Sequence, residues 1–258
     1  MNDGGTVDMM VGALTDPFDH VHMGMTAENI AAKWHISREE QDAYAAESHR
    51  RALNAIQNGY FKEQILPIDI IVDKKTVSFD TDEHPRQNTS AESLATLRPV
   101  FKKEGTVTAG NASGINDSAA ALVLMDSSLA KKRNLMPLAR LVSYGHAGVD
   151  PKLMGIGPIP AVQQALRRAN LTVADLDVIE SNEAFAVQAC AVAKELEFDP
   201  AKTNPNGGAV ALGHPIGATG SILTIKAIYE LHRCGGRYGL VTMCIGGGQG
   251  IAAVIERL

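Results

Sequence analysis

From residue 139 to residue 255 the sequence alternates short apolar runs with longer helix-patterned stretches, and this rhythm restricts the fold more than any other feature. The runs at 139–144, 176–179, 238–243 and 251–255 read as buried strands, and the stretches at about 160–169, 184–196 and 220–232 read as helices. Strands separated by helices of that length pack as a mixed or parallel sheet with helices on its faces, which is an α/β fold. Just upstream, residues 119–125 have the unbroken apolar content of a further buried strand, and 127–133 follow as a helix.

The first hundred or so residues have a different texture. A helical stretch follows Thr26, and a second helix opens at Ser37, where Glu40 three residues on gives capping-box spacing, and closes near Gly59. Residues 69–97 then mix charges, prolines and two β-like pieces, at 68–72 and 76–79, without a sustained helical period. This reads as an excursion from a core. The chain as a whole, 258 residues at 45% hydrophobic content, is long enough to bury that core in one or two domains.

Composition excludes several classes of function. A formal net charge of −5 argues against a nucleic-acid partner, because phosphate recognition shows as a basic balance. No apolar run approaches the roughly 20 residues that span a bilayer, and no signal pattern opens the chain, so no membrane partner and a cytoplasmic location are expected. Cys190, Cys234 and Cys244 are odd in number and widely spaced, which fits neither a disulfide framework nor a metal site. Free thiols are expected, with Cys190 in the core and Cys234 peripheral.

Two glycine-rich segments near the C-terminus carry the residues with chemistry. Asn206-Gly-Gly-Ala-Val-Ala-Leu-Gly-His214-Pro-Ile-Gly-Ala-Thr-Gly220 sets a histidine just before a helix, and Cys244-Ile-Gly-Gly-Gly-Gln-Gly250 sets a thiol at the end of an apolar strand. Glycine lets the backbone approach a ligand closely and aim N–H groups at one point. His214 titrates in the range of a base at neutral pH, although a lone turn histidine is ordinarily a surface residue. Cys244 is either an inert core thiol or, given the turn behind it, a thiol that points from the sheet edge into a pocket and whose pKa local dipoles can lower. Asn182, ahead of Glu183-Ala-Phe185 between strand and helix, can cap that helix. The Gly246 turn is not followed by a helix of a βαβ unit, so it fails as a dinucleotide site.

Together these residues resemble the C-terminal signature of thiolases, the enzymes that make and cleave 3-ketoacyl-CoA, and the resemblance runs the whole length of the chain. It implies a layered αβαβα architecture of two similar halves with a loop domain inserted in the first. On that pattern 1–114 is the loop domain, 115–136 the last piece of the N-terminal half and 137–258 the C-terminal half. The N-terminal half is largely missing, and the family's acylated cysteine would lie upstream of Met1. The isolated chain, with its sheet faces bare, would then be hard to keep soluble as a monomer.

The resemblance also implies roles. His214 activates the nucleophilic cysteine and holds the thioester oxygen, Asn182 holds a water that stabilises the enolate oxygen, Cys244 moves the α-proton, and the Gly246 N–H forms half of an oxyanion hole. His22 and Met23 correspond to a pair that lines the pantetheine and acyl pocket of short-chain members. Arg86, Ser93 and Phe101 fall where the family contacts the adenine nucleotide, and Ala109 to Ser113 where it contacts pantetheine. The implied activity is condensation of two acetyl-CoA to acetoacetyl-CoA and CoA, or the reverse thiolysis of short 3-ketoacyl-CoA. Coenzyme A thioesters are substrates, no cofactor is held permanently, and the complete enzyme is a dimer or tetramer. The alternative is a catalytically incomplete fragment or CoA-binding remnant. A decarboxylating ketoacyl synthase fits less well, because Cys244 with its glycine turn points to a thiolase.

Overall fold

The computed structural model describes residues 4–258. A short helix α1 (Met9–Ala13) precedes α2 (Met23–Trp34) and α3 (Arg38–Gln57). Ser37 and Glu40 form the capping box that their spacing predicts, which fixes the start of α3. Helix α2 begins earlier than the expected stretch after Thr26, because His22 acts as its N-cap and its Nδ1 accepts the Gly24 N–H at 3.0 Å. A hairpin of β1 (Ile68–Val72) and β2 (Lys75–Phe79) follows, then α4 (Ala91–Ala95) and α5 (Ser127–Lys132).

The remainder alternates as the sequence leads one to expect: β3 (Ala139–Gly148), α6 (Pro158–Ala169), β4 (Val178–Ser181), α7 (Ala186–Glu195), α8 (Ala209–Leu212), α9 (Ile216–Cys234), β5 (Tyr238–Ile245) and β6 (Gln249–Arg257). These strands form one mixed sheet in the order β3-β6-β5-β4, in which only β4 and β5 run parallel. Alternate residues of each strand point to opposite faces, so each strand feeds two cores. Leu240, Ala252 and Val254 pack with Ala161, Val162 and Leu166 of α6 and Val192 of α7. Val178, Val241 and Ile255 pack with Leu223, Ala227 and Leu231 of α9 on the other face. The result is helix, sheet and helix in three layers. Helices α2 and α7 share a further core of Ala27, Ile30, Val187 and Ala191, which joins the N-terminal helices to this body.

Several expectations need correction. Asn182 does not cap the helix that follows it: the N-cap of α7 is Phe185, and no side chain caps that end. Residues 119–125 are not a buried strand: they form no ladder, and Val123 and Leu124 are 89% and 85% exposed. A strand requires a neighbour for its N–H and C=O groups, and the sheet order contains no position for this run. The strand expected at 176–179 is displaced to Val178–Ser181, with Leu176 buried just ahead of it. Helix α9 starts at Ile216 rather than near Gly220, because Pro215 serves as its N-cap and Gly217 and Gly220 are carried inside the helix.

Candidate active site

Asn182 leaves the end of β4 with its N–H donating to Thr242 O at 2.9 Å, so the parallel ladder aims it from the sheet end. It is buried, and its Nδ2 lies 3.3 Å from Nε2 of His214. His214 reaches that point from the other side. Gly213, at φ +95°, turns the chain sharply, and the space where a side chain would stand is filled by the Asn116 amide. The His214 N–H donates to Gly114 O at 3.1 Å, and Nδ1 lies 2.7 Å from Thr219 Oγ1 in the first turns of α9.

These contacts set the protonation state. An Asn182 Nδ2–H that donates to Nε2 requires the ring nitrogen to carry its lone pair there, which places the proton on Nδ1, donating to Thr219. Burial holds the His214 pKa below the ordinary imidazole value, so the ring is neutral at pH 7 and Nε2 can accept a proton. Asn182 Oδ1 is buried and has no hydrogen-bond partner among the described residues. A groove of about 470 Å³, lined by Asn116, Asp117, His214, Pro215 and Ile216 among others, opens beside the imidazole.

Cys244 sits in β5 opposite Gly250 of β6, packed with Met154 and Ala184, with Met23 and Phe185 against them. Burial pushes its thiol up to about 12, contrary to the lowered value expected from local dipoles. The glycines after it make the β5–β6 hairpin turn, with Gly247 at φ +81° and Gly248 at φ +84°. No helix follows, which agrees with the rejection of a dinucleotide site. A Cβ on Gly246 would stand 2.4 Å from Met23 Cε, so the methionine covers the turn directly.

The loop-region residues divide into two groups. The His22 ring stacks on Phe101 with centroids 4.7 Å apart, and Phe101 meets Phe185 edge-on at 6.3 Å. Ser113 donates from both N–H and hydroxyl to Ala184 O, at 3.1 and 3.0 Å. His22, Met23, Phe101 and Ser113 are therefore gathered against the segment that runs from Asn182 to Phe185 and against Gly246. Arg86, Ser93 and Ala109 lie exposed. The Arg86 N–H donates to His49 Nδ1 at 3.1 Å, and the Ser93 hydroxyl closes a capping box with Ser90 at the start of α4.

Comparison with known proteins decides the family. The model described as "Thiolase, N-terminal domain" matches residues 1–128, and "Thiolase, C-terminal domain" matches 135–257. The chain belongs to the thiolase family. It is similar to the β-ketothiolase of Cupriavidus necator, at 64% identity over 100% of this chain and 66% of that protein. Among solved structures it is similar to Bacillus anthracis acetyl-CoA acetyltransferase, at 51% identity and TM-score 0.96, covering all of this chain and 66% of the other. Human mitochondrial 3-ketoacyl-CoA thiolase in complex with CoA matches at 45% identity and TM-score 0.89, covering all of this chain and 65% of the other. The chain thus spans about 66% of the length of the relatives it matches. The α/β architecture is that of the thiolase fold.

Several residues around this pair escaped the sequence reading. Thr219 had no signal beyond a hydroxyl five residues after His214, and Met154 and Phe185 meet Cys244 only through folding. Glu183, adjacent to Asn182, is buried and accepts four hydrogen bonds, which no periodicity announces. Among the described residues no group of three or more His, Cys, Asp or Glu is placed to hold a metal ion, and no helix is long and apolar enough to cross a membrane.

Proposed function

We propose that this chain carries the acid/base half and the CoA-binding face of a thiolase-type acyltransferase, which condenses two acetyl-CoA or cleaves short 3-ketoacyl-CoA with CoA. The observation that carries the reading is the Asn182–His214 pair, 3.3 Å apart, with a neutral buried imidazole whose Nε2 lone pair meets the Asn182 amide beside an open groove. In this reading the acylated cysteine is none of Cys190, Cys234 and Cys244, and His214 accepts the proton of that thiol as it attacks the substrate carbonyl. Asn182 and His214 then hold the oxygen on which negative charge develops.

Cys244 is the proton carrier for carbon. With its pKa near 12 it rests as a thiol, the form that can give a proton to the α-carbon of an acetyl-CoA enolate leaving during thiolysis. In the condensing direction the thiolate takes the same proton back, and high basicity suits it to a weakly acidic C–H. The small apolar surroundings of Met23, Met154 and Phe185 favour short acyl chains. His22, Met23, Ala109 and Ser113 face pantetheine, Arg86, Ser93 and Phe101 face the nucleotide end, and the complete enzyme is a homo-oligomer. The test is calorimetric titration with CoA. Saturable one-to-one binding that weakens in Arg86→Ala supports the reading, and a chain that binds no CoA overturns it.

A further inference from the structure

The buried carboxylate next to Asn182 does work that the proposed acid/base set does not account for. Glu183 is 1% exposed, and its two oxygens accept hydrogen bonds from three separate parts of the chain. Oε1 takes Tyr44 Oη at 3.1 Å and Asn204 Nδ2 at 2.8 Å, while Oε2 takes Ser48 Oγ at 2.7 Å and the Val210 N–H at 3.1 Å. Tyr44 and Ser48 belong to α3, Asn204 to the loop beside β4, and Val210 to the short helix α8 that leads into Gly213 and His214. Burial, with Glu183 beside it, raises the Tyr44 pKa well above its ordinary value, so the phenol stays a donor.

The bonds around this carboxylate extend to both candidate residues. Asn204 Oδ1 accepts the Ser181 N–H at 2.9 Å and its Nδ2 donates to Ser181 O at 2.8 Å, fixing the strand end that delivers Asn182. Ser48 Oγ also accepts the Gly208 N–H at 3.1 Å, fixing the start of the segment that delivers His214. The chain at Gly208 passes so close that a Cβ there would stand 2.2 Å from the Glu183 carboxyl carbon. Glycine is what allows the loop to lie on the carboxylate.

We infer that Glu183 is a positioning residue that holds the Asn182 and His214 segments in register, so that the amide and the imidazole meet. The inference rests on the acid/base reading of that pair, since otherwise there is no catalytic geometry to hold. A carboxylate suits the task because it is acceptor-only, and all four neighbours are donors. In Glu183→Gln the amide presents two N–H groups to these donors, so at least one bond is lost and the loop over Gly208 is pushed away.

The test follows the His214 ring by NMR in the intact chain, with the resonance assigned by comparison with His214→Ala. In the parent, burial and the Asn182 donor both favour the neutral ring. Losing the register relieves both, and the titration midpoint of His214 in Glu183→Gln rises toward the ordinary value. Removing a nearby negative charge without moving the loop would lower the midpoint instead, and a merely structural role would lower thermal stability and leave the midpoint in place. A raised midpoint with the fold intact is the expected result. An unchanged or lowered one overturns the inference. If Glu183→Gln does not fold, Ser48→Ala removes one bond to Glu183 and one from Gly208, and its midpoint is read by the same rule. The readout needs no turnover and no CoA, so a failure of the CoA titration and a failure here are separate results.

Discussion

Cys244 illustrates how far a single residue can be read. Its place at the end of an apolar strand before glycines was legible, but its protonation state depends on Met154, Ala184, Met23 and Phe185, which only folding assembles. A thiol near pKa 12 is a poor nucleophile at pH 8, whereas Cys234 is exposed. Iodoacetamide at that pH followed by mass mapping should modify Cys234 first and spare Cys244 as long as the chain remains folded. The same limit applies to Thr219. The motif around His214 was visible in the sequence, whereas the hydroxyl that bonds its Nδ1 was not, because five residues of chain must turn into α9 before they meet. Thr219→Val should cost about 1 kcal/mol of stability, the typical net value of one buried hydrogen bond, measured as a lower urea midpoint at constant m.

At the scale of elements, the alternation of apolar runs and helical patterns located all four strands of the main sheet, because each is flanked by a helix or a tight turn. It misplaced residues 119–125, since an apolar run states what a segment would bury and not whether a neighbour exists to pair with it. Close approach between elements was equally illegible. A Cβ on Gly250 of β6 would stand 2.1 Å from the carbonyl carbon of Gly157 at the head of α6, a backbone atom that cannot step aside. Gly250→Ala should therefore destabilise by at least about 1–3 kcal/mol, read from chemical denaturation. A second junction is sensitive to acid. His49 of α3 accepts the Arg86 N–H, and burial, aided by His84 and Arg86, lowers its pKa to about 4. Its folded pKa lies below the unfolded value of 6.5, so its contribution is present above pH 6.5 and is lost as the pH falls toward 4. The acid slope of Tm across that window should be shallower in His49→Gln than in the parent.

For the molecule as a whole, the sequence told the sheet-centred C-terminal part and the N-terminal helices and hairpin well, and the contacts that tie the N-terminal part together poorly. The loop region is organised by long-range polar contacts such as Glu28, which accepts N–H bonds from Thr106 and Val107 nearly eighty residues away. Such pairings have no local signature. The exposure of the neighbouring apolar side chains Val123 and Leu124 has a consequence for solution behaviour, since bare apolar surface drives association. Sedimentation should show association that increases with concentration and is reduced in Val123→Glu/Leu124→Glu without a change in Tm.

The central claim is that His214, held by Asn182 and Thr219, is the acid/base centre of a thiolase. The most direct measurement is CoA-dependent cleavage of acetoacetyl-CoA by this chain joined to the remaining third of the Cupriavidus necator relative, with His214→Ala alongside and both shown to bind CoA. The account predicts turnover in the parent and a loss of roughly two orders of magnitude or more in the variant, the usual range for removing a general base. Turnover that survives His214→Ala at the parental rate would contradict it.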